Sequence, residues 1–141
     1  MNKTTDELMN IIKTKDDFTQ TKEEIVSEQI TESLSECLNR MIAEKGVALS
    51  EVLHKSGIKK AYFYNLFNGD KKNPSRDICI QLCFGFGLSL EETQNFLKRS
   101  GHSVLYPRVP RDSVLIYCFL HKMTLIDSNL LLLDNNEQLL G

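Results

Sequence analysis

The chain is 141 residues long, 41% hydrophobic and 26% charged, with 7 glycines, 3 prolines and a formal net charge of −2 from 17 basic and 19 acidic side chains. That length and balance fit one domain with room for an appendage, and exclude a collagenous, low-complexity or wholly disordered chain. No uncharged apolar run approaches the ~20 residues that cross a bilayer, and residues 1–10 lack the basic start and apolar block of an export signal, so no membrane contact and a cytoplasmic location are expected.

Apolar residues recur at three- and four-residue steps and strand-like alternation never persists, so the expected class is all-α. Residues 1–26 read as an acidic arm: Leu8, Ile11 and Ile12 share a face after Thr4, Thr5, Asp6 and Glu7, and residues 14–24 are a polar linker. A first strong helix is predicted over 27–45, where Ile30, Leu34, Cys37, Leu38, Met41 and Ile42 form one stripe that Gly46 ends. A short helix follows over 49–55, with Val52 and Leu53 inward, and then a tight connection of Ser56, Gly57 and Ile58. The next helix spans 59–67, with Phe63 and Leu66 inward, and Asn68 and Gly69 close it. A polar loop over 70–74 leads to Ser75, a cap for a helix over 76–86 whose end Gly85 and Gly87 loosen. Ser89 and Glu92 make a capping box for a helix ending near Gly101. Tyr106, Pro107, Arg108, Val109 and Pro110 read as rigid and extended. Apolar helices are predicted over 112–121 and 124–133; Leu130 to Leu133 in a row makes the second apolar nearly all round, which calls for burial in the fold or in a partner.

The charge is unevenly spread. Residues 1–38 hold 4 Lys/Arg against 9 Asp/Glu, residues 39–76 hold 8 against 3, and residues 77–141 hold 5 against 7. An acidic chain with one basic block points to a localised anion-binding face. Within that block, two short helices joined by a three-residue turn containing Gly have the helix-turn-helix arrangement, in which the outer face of the second helix stays free.

These residues carry a resemblance. The stretch 45–97 resembles the lambda-repressor-like, Xre/Cro-type helix-turn-helix family: Val47 precedes the motif, Gly57 and Ile58 form its turn, and Phe63 and Leu66 sit inside its second helix. Asn68 and Gly69 end that helix, a basic loop with Pro74 follows, and the segment from Ile80 to Leu97 is similar to the family's two closing helices. Counted from Leu34, the likeness covers 64 of the 141 residues. Leu49, Leu53 and Phe67 depart from the family's frequent Gln, Ala and Glu at those places. The resemblance implies a five-helix bundle over 27–101, with extra helices in the N-terminal arm (1–26) and in a C-terminal extension (102–141) that covers the core or pairs two copies.

It also implies a sequence-specific DNA-binding regulator that puts residues 59–67 into the major groove. Lys60 suits guanine O6 and N7, Asn65 suits adenine, and Ala61 and Tyr62 suit a thymine methyl. Lys59, Tyr64, Asn68, Lys71 and Lys72 fall near the phosphate backbone. The expected partners are double-stranded DNA and a second copy, with a protein partner on the apolar C-terminal helices as a further expectation. The alternative is a non-enzymatic adaptor built on the same fold. No cofactor, metal site or enzymatic activity is expected. The acidic pairs are sequence neighbours that point apart on a helix, and no Gly-rich phosphate loop is present. Cys37, Cys79, Cys83 and Cys118 read as buried reduced thiols, with Cys118 and His121 on a core helix.

Overall fold

The structure is a computed structural model that describes residues 32–141. It holds seven helices in this order: α1 Leu34–Lys45, α2 Leu49–Ser56, α3 Lys60–Asn68, α4 Arg76–Phe86, α5 Leu90–Arg99, α6 Pro110–Leu120 and α7 Leu125–Asp134. Among the described residues there is no strand, so the class is all-α. The helix expected within the arm, and residues 27–31 of the first strong helix, lie outside the described residues.

α1 starts seven residues later than the apolar stripe predicts, because Ser33 caps it. The Ser33 hydroxyl accepts from the Glu36 N–H, and the Glu36 carboxylate accepts from the Ser33 N–H. This box satisfies two otherwise orphaned donors and fixes the boundary, and its Ser-x-x-Glu signature stands in the sequence. The box at Ser89 and Glu92 forms as predicted, and Ser75 and Thr124 cap α4 and α7. Residues 106–110 are not extended throughout. The Val109 N–H donates to the Tyr106 carbonyl at 3.0 Å, closing a turn, and Pro110 is the first residue of α6, where its missing N–H costs nothing.

α4 is the central helix: every residue from Cys79 to Phe86 is buried. α2 packs along it most closely, α5 lies against it, α1 packs on α3, and α6 pairs with α7. Gly85 does not loosen the end of α4. It lies inside the helix, where a Cβ would stand 2.8 Å from the Val52 carbonyl oxygen, so its missing side chain lets α2 approach. Val52 is fully buried and Leu53 only half-buried. Phe67 packs inward, its ring 4.6 Å from that of Phe63 and 6.5 Å from that of Phe86. An apolar residue at the end of α3 therefore belongs to the core.

α6 and α7 share this core through Leu115, Cys118, Phe119, Leu125 and Leu132, and the Phe119 ring stacks 4.3 Å from Phe84. Two crossed ion pairs join the start of α4 to the start of α6. Arg76 donates to both oxygens of the buried Asp112 (3.1 and 2.9 Å), and Arg111 donates to both oxygens of Asp77 (2.9 Å each). Such forked pairs fix orientation as well as position. α7 is not buried all round: Leu125, Ser128 and Leu132 face inward, but Ile126, Leu130 and Leu133 are exposed. All four cysteines are buried and unpaired.

Candidate nucleic-acid interface

The α2–α3 turn is built from inside the fold. Gly57 takes the left-handed conformation (φ 66°, ψ 10°) that ends α2 and that a side chain resists. The fully buried Ser56 donates its hydroxyl proton to the Leu53 carbonyl (2.9 Å) and accepts from the Ile58 N–H (3.2 Å). Gln81, buried in α4, donates to the Ser56 carbonyl at 3.1 Å. The Ser56 carbonyl and the Ile58 N–H of the turn are thus bonded within the protein, and Ile58 anchors it apolarly. Leu125 of α7 closes over Gly57: a Cβ there would lie 2.6 Å from the Leu125 Cδ2.

The far end of α3 is held by α1 and by the loop that follows. Asn39 donates to the Phe67 carbonyl at 3.0 Å. The Asp70 N–H donates to Asn68 Oδ1 at 2.9 Å, and the Lys71 N–H donates to the Asn65 carbonyl at 3.0 Å. Lys71 Nζ stands 5.9 Å from the centre of the Tyr62 ring. With both ends fixed, Phe63, Leu66 and Phe67 turn into the core, leaving the other side of α3 outward.

Of the residues singled out in the sequence, Lys59, Lys60, Ala61, Tyr64, Asn68, Lys71 and Lys72 are exposed, and Tyr62 and Asn65 are half-buried. Lys59 caps α3 by its backbone and is not the first helical residue. Tyr62 and Lys59 border a cleft of about 350 Å³ whose far side is Gln138, Leu139 and Gly141. Lys71 and Lys72 border a larger cleft, about 580 Å³, with Ser33, Ser35 and Arg99.

The eight cations of the basic block divide into two sets. Arg40 pairs with Glu32 and Glu44, Lys45 with Glu92, Lys55 with Glu51 and Arg76 with Asp112. Hydrogen bonding to Arg40 holds the Glu32 carboxyl below its ordinary pKa and raises that of the guanidinium. Lys59, Lys60, Lys71 and Lys72 make no ion pair among the described residues. These four border α3.

The helix starts divide similarly. α1, α4, α5 and α7 begin on a Ser or Thr whose side chain accepts a backbone N–H. α2 begins on Ala48, α3 on Lys59 and α6 on Val109, none with a side-chain cap, which leaves first-turn N–H groups of each for another acceptor. Periodicity missed the supports Ser56, Asn39 and Gln81. A polar residue on the inner side of an apolar stripe is the only signal that could have found them.

Among the described residues no group of three or more His, Cys, Asp or Glu side chains gathers to hold a metal ion, and no helix is long and apolar enough to cross a membrane. Comparison with known proteins finds no matching family model, no matching curated protein and no matching solved structure.

Proposed function

We propose that the chain is a sequence-specific DNA-binding regulator of the lambda-repressor-like helix-turn-helix type, with α2 and α3 as the motif and α3 as the helix that enters the major groove. The observation that carries this reading is the division of cations: Lys59, Lys60, Lys71 and Lys72 are exposed without an acidic partner among the described residues, around one helix. A helix of nine residues, with one face in the core and the other bearing Lys60, Ala61 and Tyr64, fits a groove ~12 Å wide. The uncapped starts of α2 and α3 add backbone donors suited to phosphate.

In this reading Lys60, at the start of α3, reads a guanine edge and Ala61 meets a thymine methyl. Tyr62 and Asn65, half-buried, reach bases with the part of each side chain that stays outside. Lys59, Tyr64, Asn68, Lys71 and Lys72 meet the backbone and set register. The protein works by binding alone, inside the cell, without a cofactor.

Fluorescence anisotropy with a random-sequence duplex across salt tests it. Three lysines on phosphates, Lys59, Lys71 and Lys72, give a slope of log K against log salt of roughly −3. Replacing both Lys71 and Lys72 by Ala is expected to flatten that slope by about 2. In selection from a randomised duplex pool, Lys60→Ala and Asn65→Ala are expected to relax preference at separate base positions. Absence of affinity even at low salt overturns the reading and favours the adaptor, which would use the exposed side of α6 and α7.

A further inference from the structure

The cleft of about 350 Å³ beside Tyr62 lies where α3 and α4 start, and its volume is at the small end of ligand sites. Its far wall is firmly held. Arg111 donates to the Gln138 carbonyl at 2.9 Å and to the Leu139 carbonyl at 3.3 Å. Asn129 exchanges two hydrogen bonds with the backbone of the buried Leu140 (2.9 and 2.8 Å). Tyr62, Ile78 and Leu139 supply apolar surface. Gln81, only 2% exposed, also lines the cleft. Its Nε2 donates to the Ser56 carbonyl, which can only accept, so the orientation of the amide is fixed. The second Nε2 hydrogen and Oε1 make no hydrogen bond among the described residues. Glycines flank this amide: a Cβ at Gly57 or at Gly141 would stand 3.7 Å from Nε2, in direct contact with it. The balance of charge is positive. Arg111 bonds both oxygens of Asp77, whereas Lys59 makes no ion pair among the described residues. The uncapped start of α3 at Lys59 adds first-turn N–H groups and the positive end of a helix dipole.

We propose that this cleft binds a small carboxylic acid that carries an amide and an apolar group, the chemistry of an N-acylated amino acid. The apolar group lies on Tyr62, Ile78 and Leu139. The amide N–H donates to Gln81 Oε1 and its carbonyl accepts from Nε2, since one amide complements another. The carboxylate meets Lys59 and the open start of α3. Lys59 and Tyr62 are also contacts in the DNA reading, so ligand and duplex exclude each other. That exclusion rests on the DNA reading; occupancy of the cleft does not.

Amide correlation NMR of the full chain without DNA, titrated with N-acetylphenylalanine, tests it. The Gly57, Ile78, Gln81 and Leu139 signals are expected to shift together. At the efficiency of drug-sized ligands, ~15 non-hydrogen atoms give a Kd on the order of 0.5 mM. The neutral N-acetylphenylalaninamide and the amide-free 3-phenylpropanoate are each expected to bind about three- to tenfold more weakly. Lys59→Ala, at an exposed site that folding does not need, should weaken the acid by about the same factor and leave the neutral amide unchanged. Saturating probe should weaken duplex binding several-fold in anisotropy. The proposal is overturned by no concerted shift at about 10 mM, well above that Kd, or by equal affinity for the acid and its neutral amide. Duplex affinity unchanged at saturation overturns the exclusion. Because the titration holds no DNA, its failure counts against the cleft and not against the DNA reading.

Discussion

Gly85→Ala separates helix propensity from packing, because the two predict opposite signs. Propensity alone favours Ala inside a helix by about 0.5–1 kcal/mol. Packing opposes it. The new Cβ would stand 2.8 Å from the Val52 carbonyl oxygen and 3.0 Å from both the Ser56 Cβ and the Val52 Cγ1. Overpacking costs about 1–3 kcal/mol, and the tightest neighbour here is backbone, which no rotamer change can move. α2 must therefore shift off α4 as a body. The net expectation is a loss of about 1–2 kcal/mol, or roughly 5 °C in melting temperature for a chain of this size. Urea and thermal denaturation followed by circular dichroism would read it. Because Val52 and Ser56 belong to α2, the displacement is also expected to weaken duplex binding at temperatures where the variant is folded. A melting temperature equal to or above wild type would refute the claim that α2 and α4 are in contact at Gly85.

Three further outcomes follow from the ion pairs and the buried groups. Asp112→Asn is expected to cost about 2–4 kcal/mol in urea denaturation, since the Asp112 side chain is 6% exposed and takes two bonds from Arg76 and one from the Tyr106 N–H; Asp77→Asn, at a site 34% exposed, is expected to cost less. The Glu36 and Glu92 carboxyls are held below their ordinary pKa chiefly by the Ser33 and Ser89 N–H groups, and Glu32 is held low chiefly by Arg40. A carboxyl lowered on folding adds stability that is complete above its unfolded pKa and lost as pH falls through the folded one. The urea midpoint should therefore hold down to about pH 5 and then decline, and a Glu36→Gln, Glu92→Gln double variant should decline less. Burial pushes the Cys79 thiol up to about 11 and raises Cys37, Cys83 and Cys118 as well. A thiol reagent at pH 8 should label the native chain only as fast as it unfolds, and prompt labelling of any of the four would contradict their burial.

Helix positions were largely legible because each apolar stripe has a helical period, and α4 and α5 start where their serines say. What misled was local chemistry competing with periodicity. The stripe through Ile30 overran Ser33, although Ser33 and Glu36 spell a capping box. Pro107 and Pro110 looked like one rigid run, but Pro suits both a turn and a helix start. The leucine row read as buried in the fold or in a partner, and within the chain α7 buries only Leu125, Ser128 and Leu132, because composition does not say which side of a helix meets the core. For the interface, the lysines around α3 were legible as a charge block. Their partition was not, because it depends on contacts distant in sequence: Lys45 with Glu92 and Arg76 with Asp112. Gly85 was misread for the same reason, since only the position of α2 explains a glycine within a helix.

A net charge of −2 is no obstacle to a duplex, because charge acts locally. At physiological salt the screening length is about 8 Å. α1, 12 residues and so ~18 Å long, gives the scale. Its start borders the same cleft as Lys71 and Lys72, and Lys45 at its end bonds Glu92. Glu91, beside Glu92, is thus about two screening lengths from the loop, whereas Asp70 precedes Lys71 directly. Glu91→Lys and Asp70→Lys change the total charge equally. If the local field decides, Asp70→Lys should tighten duplex binding several-fold at physiological salt and Glu91→Lys less than twofold. Below about 0.01 M salt, where screening reaches ~30 Å, the difference should narrow. Equal effects at physiological salt would mean that binding follows total charge, and α3 with its four lysines would lose its claim to be the contact surface.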